Sequence, residues 1–325
     1  MPYEPPFNRN DRIDFLCMEI AELVGMVPSD APLAKSPVLH RELRIKTIHS
    51  SLLIEGNMLG SEAVTAILDG KRILGDSHDI LEVENAKRAY DLIPELDPYS
   101  LEDLLLVHRA MMEGLVVEAG RVRAGNVGVF DGDTLIHAGT PAAYVPKVMA
   151  DMFGWLKNTG MHPLLASCVF HFEFEFCHPF ADGNGRVGRL WHTLLLSRWR
   201  PVLMWLPVES TIRQRQASYY AALAKSDAVG SSETFVEFML EAIRDSLVPF
   251  ANPKNEREIA KTRALVYFSE NPQGNVSSLS EELGCSKRSA ERIVAELKGE
   301  GVLERRGSAR SGSWVVVGES EYQLS

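Results

Sequence analysis

His178-Pro179-Phe180-Ala181-Asp182-Gly183-Asn184-Gly185-Arg186-Val187-Gly188-Arg189 decides how the rest of this chain is read. These twelve residues bring together an imidazole, a carboxylate, three glycines and two guanidiniums. Such a set can hold a metal-bound polyphosphate and activate a nucleophile beside it. Two folds compete for the segment. Gly183 to Gly188 fits the G-x-G-x-x-G dinucleotide fingerprint, Phe170 to Phe176 alternates like a strand before it, and Glu209 lies about twenty residues downstream. A parallel strand buried on both faces should be almost continuously apolar, yet Glu173 and Glu175 interrupt this one. The residues His178 to Asp182 also separate it from the glycines. Leu165, Cys168, Val169, Phe172 and Phe176 follow helical spacing instead. The spacing predicts one helix ending near His178 and a second starting inside the glycine run, through Leu190 to Leu196.

On the helical reading, the second helix turns its free N–H groups and positive dipole end toward the loop. Glycines let those amides approach phosphate oxygens closely. Arg186 and Arg189 project from adjacent positions of the first turns and can grip successive phosphates. Asp182 offers a hard oxygen to Mg²⁺, and His178 is a candidate base for a hydroxyl. There is no P-loop lysine motif to supply a rival phosphate site.

The chain has 325 residues, which favours two domains over one. Its apolar (45%) and charged (24%) fractions are ordinary for a globular protein. A net charge of −10 argues against a general nucleic-acid or membrane coat and leaves room for a local basic face. No apolar run reaches the length of a membrane span, and Met1-Pro-Tyr-Glu-Pro-Pro6 lacks the order of a secretory signal. Cys17, Cys168, Cys177 and Cys285 are scattered without a CxxC pair, which suits reduced thiols in a cytoplasm and argues against structural zinc. A cytoplasmic location without membrane partners is expected.

Helices are predicted over 14–23, 37–55, 82–92, 101–112 and 145–157, the second entered after Ser36 with Pro37 in its first turn and stopping near Gly56. Between the last two, Gly125 to Tyr144 reads as a β-hairpin turning at Asp131-Gly132-Asp133. The character changes near Pro249-Phe-Ala-Asn-Pro253. Residues 1–100 are expected to form an N-terminal helical region, 101–250 a catalytic core and 256–325 a separate unit.

The central segment matches in full the H-x-F-x-[DE]-G-N-G-R-x-x-R signature of the Fic family, and the resemblance spans roughly residues 37 to 250. It implies a mainly α fold, a Fic-type helical bundle with a small β-hairpin flap. It also implies transfer of AMP from ATP to a Ser, Thr or Tyr hydroxyl of a target protein. By resemblance, His178 is the base, Asp182 holds Mg²⁺, Gly183, Asn184, Gly185 and Arg186 cradle the α- and β-phosphates, and Arg189 meets the γ-phosphate. Phe180 packs into the core and anchors the loop.

Ser51-Leu-Leu-Ile-Glu55-Gly56-Asn57 resembles the inhibitory motif [ST]-x-x-x-E-[GN] of many Fic proteins. The resemblance implies that Glu55 pairs with Arg189 and displaces the γ-phosphate, with Ser51 one turn earlier fixing the helix. The hairpin stands where the family has its target-clamping flap, with Leu135, Ile136 and His137 at the clamping edge, and Tyr144-Val-Pro146 resembles the exit. Thr211 to Leu223 resembles the helix completing the nucleotide pocket, with Tyr220 placed to stack on adenine and Asp227 to read the base edge. His171 and Glu173 match no ligand spacing and are expected to serve packing or face solvent.

Residues 259 to 317 read as helix, helix, helix, hairpin, the order of a winged helix-turn-helix. Lys287, Arg288 and Arg292 lie on the polar face of its recognition-type helix and are candidate DNA contacts, with Arg305, Arg306 and Arg310 in a basic wing. Acids roughly match bases there, so electrostatic affinity would be modest. Expected partners are ATP, a protein target, DNA through this unit, and a second copy of the chain. Two alternatives stand beside the transferase. The same fold can remove AMP, Glu55 then positioning water, or the chain can be a DNA-binding regulator whose nucleotide site senses ATP.

Overall fold

The computed structural model describes residues 3–27, 32–131, 134–251, 253–307 and 312–317. The chain opens with helices α1 (Asp11–Met26), α2 (Pro32–Lys35), α3 (Pro37–Ile54), α4 (Ser61–Leu68), α5 (Ser77–Asp91) and α6 (Leu101–Met112). Strands β1 (Gly128–Asp131) and β2 (Thr134–Ala138) follow, then α7 (Val145–Asn158), α8 (Pro163–Cys177) and α9 (Asn184–Trp199). After these come α10 (Val208–Gln214), α11 (Gln216–Val229), α12 (Glu233–Ala251), α13 (Pro253–Glu270), α14 (Val276–Leu283), α15 (Lys287–Gly299), β3 (Leu303–Arg306) and β4 (Ser313–Val316). The fold is mainly α-helical, and no described helix is long and apolar enough to cross a membrane. All four cysteines are free thiols.

Two compact units divide the chain, and neither is continuous in sequence. One contains residues 1–21 and 43–246, the other residues 22–42 and 247–325. In the first unit, α8 and α9 share the largest helix–helix contact. Helix α8 starts where His162 Nδ1 accepts from Leu164 N at 3.2 Å, with Pro163 in its first turn. Leu164 to Phe174 are all buried, glutamate included, because neighbours enclose the helix on every side. The strand-like alternation of Phe170, Phe172, Phe174 and Phe176 is thus a by-product of an all-round apolar helix. The dinucleotide reading fails with it, and Glu209 is buried, accepting from Tyr90 and Thr193 hydroxyls at 3.1 and 3.3 Å.

Gly188 allows the α8–α9 approach. A Cβ there would lie 2.6 Å from Glu175 Oε1, 3.1 Å from the Phe174 ring and 3.3 Å from His171. Other boundaries follow visible caps. Ser100 Oγ accepts from Asp103 N at 3.1 Å to start α6, and Ser36 Oγ accepts from Leu39 N at 3.2 Å beside the start of α3. The expected single helix over Thr211 to Leu223 is instead broken at Arg215, between α10 and α11.

β1 and β2 pair antiparallel, Gly128 with Ala138, Val129 with His137, Phe130 with Leu135 and Asp131 with Thr134. The register slips between Val129 and Phe130, a bulge of one residue at Ile136. Gly132 and Asp133 of the expected turn lie outside the described residues.

The second unit has its own core of Phe268, Leu279, Leu283, Ala290, Ile293, Val294, Leu297, Leu303 and Trp314. Helix α15 begins with Ser286 Oγ accepting from Ser289 N at 3.1 Å, and α14 ends on Gly284 in the left-handed region. β3 and β4 pair antiparallel, with Arg305 opposite Trp314 and its guanidinium 5.0 Å from that ring's centre. Arg310 lies outside the described residues.

Because Phe174 is fully buried and cannot yield, Gly188→Ala is expected to destabilise the protein by about 1–3 kcal/mol, against the ~1 kcal/mol that Ala gains over Gly in a helix. Urea denaturation checks the sign; a more stable variant would mean that α8 and α9 can part freely.

Candidate functional site

The turn between α8 and α9 collects the expected residues. Helix α8 ends on His178, whose φ of 50° is the one positive value for a non-glycine among the described residues. An L-residue stays in the left-handed region only when its surroundings fix it there. Arg123 does so. Its Nε donates to His178 O at 2.7 Å, Nη2 to Cys177 O at 3.4 Å, and its backbone N to Pro179 O at 3.0 Å. The same guanidinium donates from Nη1 to Gly125 O at 2.8 Å and from Nη2 to Thr140 O, the carbonyls flanking the hairpin. Arg123 therefore fastens both legs of the hairpin to the turn that carries His178. The imidazole of His178 is half-buried there, and a Cβ at Gly139 would lie 3.3 Å from its own Cβ.

Phe180 is fully buried, as expected of an anchor, and stacks on His108 with ring centres 3.7 Å apart. Asn184 closes the turn like a backbone amide, Oδ1 accepting from Phe180 N and Nδ2 donating to Phe180 O, both at 2.9 Å. Its side chain thus holds the loop, and its contribution to a phosphate would come through the backbone at the start of α9. Gly183, at φ +83°, caps that helix where any Cβ would strike Met112 Sδ at 2.6 Å. His108 links the loop to α6. Its Nδ1 accepts from Gly120 N at 2.8 Å, so Nε2 carries the proton and donates to Asp182 O at 3.1 Å.

Both arginines of the loop are buried and both meet carboxylates. Arg189 Nη2 donates to Glu55 Oε1 at 2.7 Å and to Ser51 O at 3.1 Å, while Nε donates to Ser51 Oγ at 3.1 Å. Burial pulls the guanidinium's pKa down, and the charge and hydrogen bond of Glu55 overcome that and raise it. A Cβ at Gly185 would lie 2.5 Å from Glu55 Oε1, so the pair sits directly over the glycine turn. Arg186 Nη1 donates to Glu82 Oε1 at 2.5 Å, and Nη2 to both Asp182 oxygens at 3.1 Å. Asp182 keeps a half-exposed side chain, 55% accessible, and its Oδ1 also accepts from Gly183 N at 2.6 Å.

Helix α11 borders the same place, since Gln216 Nε2 donates to Ile54 O at 3.1 Å at the end of α3. Tyr220 is 47% exposed, and burial and then the charge of Glu55 raise its phenol pKa. Asp227, half-buried, lies farther along the helix. Leu135, Ile136 and His137 are in β2, with side chains outside the described ones. His171 and Glu173 are buried, His171 Nε2 lying 3.3 Å from Tyr219 OH and Glu173 Oε2 accepting from Tyr3 OH at 2.5 Å.

Among the described residues, His78, Asp79 and Glu82 bring one potential ligand atom each within 4.8 Å of one another, a cluster consistent with metal coordination. Its buried member is already occupied, as Glu82 accepts from Arg186 and, at 2.8 Å, from Asn57 Nδ2. Arg123, His108, Glu82 and Asn57 were not anticipated from sequence. Each acts on a partner far along the chain, and no local spacing marks them.

Burial lowers the pKa of His108 from 6.5 to about 4 and that of His171 to about 3. The unfolded chain therefore binds protons that the folded chain refuses between pH 6.5 and those values, and stability falls as pH drops through that window. His108→Gln is expected to flatten the dependence of melting temperature on pH between 6.5 and 4.5 (approximate bounds); parallel curves would show that His108 does not contribute.

The Fic/DOC family model matches residues 98–196. A Fic family protein from Desulfovibrio desulfuricans G20, known from a crystal structure, is 41% identical, with a TM-score of 0.75 over 97% of this chain and 99% of that one. The structure of residues 134–508 of Fic-1 from C. elegans is 25% identical, with a TM-score of 0.59 over 74% of this chain and 70% of that one. Protein adenylyltransferase fic-1 of Caenorhabditis briggsae is 32% identical over 217 residues, 61% of this chain and 39% of that protein. Protein adenylyltransferase Fic of Culex quinquefasciatus is 30% identical over 222 residues, 64% and 41% of the two chains. The chain thus spans less than half the length of these curated relatives. With a complete loop motif and a full-length structural counterpart at this identity, the chain belongs to the Fic family.

Proposed function

We propose that this chain is a protein adenylyltransferase, moving AMP from ATP to a Ser, Thr or Tyr hydroxyl of a target protein, and that Glu55 holds it inactive. The Arg189–Glu55 contact carries the proposal: a buried guanidinium above the glycine turn, matched by a carboxylate where a phosphate would otherwise sit. The N–H groups at the start of α9, from Asn184 and Gly185 and from Gly183 once it leaves Asp182 Oδ1, receive the phosphates, and Arg186 and Arg189 neutralise them. Asp182 suits Mg²⁺, being a half-exposed hard oxygen beside that helix start, and the ion when bound would offset polyphosphate charge. His178 takes the proton of the target hydroxyl as its oxygen attacks the α-phosphorus. A new P–O ester forms, the bond to the β-phosphate oxygen breaks, and pyrophosphate leaves. The β2 edge at Leu135, Ile136 and His137 holds the target segment as an added strand, Tyr220 offers a face to adenine, and Asp227 reads the base edge. While Glu55 occupies Arg189, the γ-phosphate loses that partner and ATP lies out of line.

Wild type, Glu55→Gly and Glu55→Gly/His178→Ala proteins incubated with α-labelled ATP, Mg²⁺ and host lysate test this. Label is expected on protein only with Glu55→Gly, at least about tenfold above the others, and EDTA should remove it. Equal labelling by wild type and Glu55→Gly would defeat autoinhibition. Label stripped from modified targets by wild type alone would make the chain a hydrolase.

The second unit supports a further role, binding of duplex DNA by a winged helix-turn-helix. α14, α15 and the β3–β4 hairpin follow in that order, with α15 as the recognition helix. Lys287, Arg288 and Arg292 are exposed on its first turns and have no ion-pair partner among the described residues. Arg257, Lys261 and Arg263 of the same unit are paired, with Glu296, Glu258, Glu300 and Glu42. The carboxylates at the end of α15 are thus neutralised, and its start keeps its positive charge against Glu291 alone. Replacing all three cations with alanine should reduce the slope of log affinity against log salt by roughly 2.7, at about 0.9 per phosphate contact. Fluorescence anisotropy with labelled duplex measures it; an unchanged slope would remove α15 from the interface.

A further inference from the structure

Arg186 leans on a carboxylate that the phosphate loop does not contain. Its Nη1 donates to Glu82 Oε1 at 2.5 Å, with both side chains buried. Nη2 reaches both oxygens of Asp182 at 3.1 Å, and Nε is buried without a partner among the described residues. Glu82 stands in the middle of α5, outside the residues 98–196 matched by the family model. Its other oxygen accepts from Asn57 Nδ2 at 2.8 Å, and the same amide donates to Asp79 O at 3.1 Å.

Asn57 closes the helix that carries Glu55. After Gly56, at φ +91°, its N donates back to Leu52 O at 3.1 Å, and its Oδ1 accepts from Leu59 N at 3.0 Å. A continuous chain of hydrogen bonds therefore runs from the end of α3 through Asn57, Glu82 and Arg186 to Asp182.

Charge gives this chain a purpose. A guanidinium facing Asp182 alone would form a neutral pair and quench the carboxylate expected to meet a divalent cation. Glu82 divides the guanidinium, holding Nη1 while Nη2 serves the loop, and the three groups together carry a net negative charge. Buried as it is, the Glu82 contact is poorly screened and sets the rotamer of Arg186 firmly.

We propose that Glu82 is a positioning residue of the nucleotide site. It fixes Arg186 with one edge toward the loop, leaves Asp182 charge for the cation, and through Asn57 ties that arginine to the end of the inhibitory helix. The proposal rests on the nucleotide reading of the loop given above.

Calorimetric titration of ATP, with and without Mg²⁺, into full-length Glu55→Gly/His178→Ala protein tests it without turnover. Adding Glu82→Gln, which preserves shape, is expected to weaken Mg²⁺-ATP binding about tenfold and Mg²⁺-free ATP binding less. Asn57→Ala, which keeps both charges, should weaken it about threefold. Neither change should have any further effect once Arg186→Ala is present, a non-additivity that a general loss of packing would not produce. Asn57→Ala carries the test if Glu82→Gln fails to fold. Unchanged affinity in the folded variants, or full additivity with Arg186→Ala, would overturn the role of Glu82 alone. Absence of ATP binding by every protein, Glu82 intact included, would overturn the nucleotide reading and this proposal with it.

Discussion

A guanidinium without access to water must be matched by an anion, and Arg189 is such a group. Its side chain is 1% accessible, against 23% for Glu55, so the arginine is the fixed member of the pair and the glutamate the movable one. Removing the partner of a buried charge costs about 3–5 kcal/mol, which explains why Ser51 supplies two further acceptors behind it. A carboxylate and a phosphate oxygen both satisfy Arg189, and they cannot do so together. On the proposed reading, the helix that ends at Ile54 thus carries the phosphate's competitor for Arg189.

The enclosed pair α8 and α9 makes that constraint possible. Both helices are buried nearly all round, and α9 buries Asn184, Arg186 and Arg189 in its first turns beside the loop. His178 is forced into a left-handed turn at the end of one, and Gly183 starts the other from the same region of φ/ψ space. A turn so tight has few internal hydrogen bonds to fix it. Asn184 closes it from inside, while Arg123 and His108 hold it from outside. Because Arg123 also holds the hairpin legs, the hairpin and His178 share one anchor.

The loop's helix–turn–helix context was legible because helical spacing outweighed an accidental alternation, and α6 from Leu101 to Met112 because it continues the same helical pattern, the Ser100 cap appearing only in the structure. The Glu55–Arg189 contact was legible through family resemblance alone; nothing in the spacing of residues 134 positions apart could announce it. The break at Arg215 had no glycine or proline to signal it, as tertiary partners Glu241 and Asp245 hold that arginine instead. Helix α5 begins at Ser77, capped by Asp76, rather than near Glu82 where the apolar pattern placed it. That shift matters chemically, since it moves Glu82 from an exposed first turn to a buried helix interior. The grouping of residues 22–42 with the C-terminal unit depends on contacts that no local pattern encodes.

The two loop arginines differ in how they are matched. Arg189 meets a partly exposed carboxylate at a helix end, a contact that can be lost by a modest movement of one side chain. Arg186 meets a buried carboxylate held by Asn57, so its rotamer is set before any ligand arrives. One cation is thereby matched by a partly exposed partner and the other by a buried one, a division of labour suited to the proposed inhibited site. Asn57 lies two residues beyond Glu55, so one chain segment carries both the partner of Arg189 and the anchor of Glu82. On the proposed reading, inhibition and phosphate recognition therefore belong to one hydrogen-bonded assembly that runs from the end of α3 through Asn57 and Glu82 to Arg186.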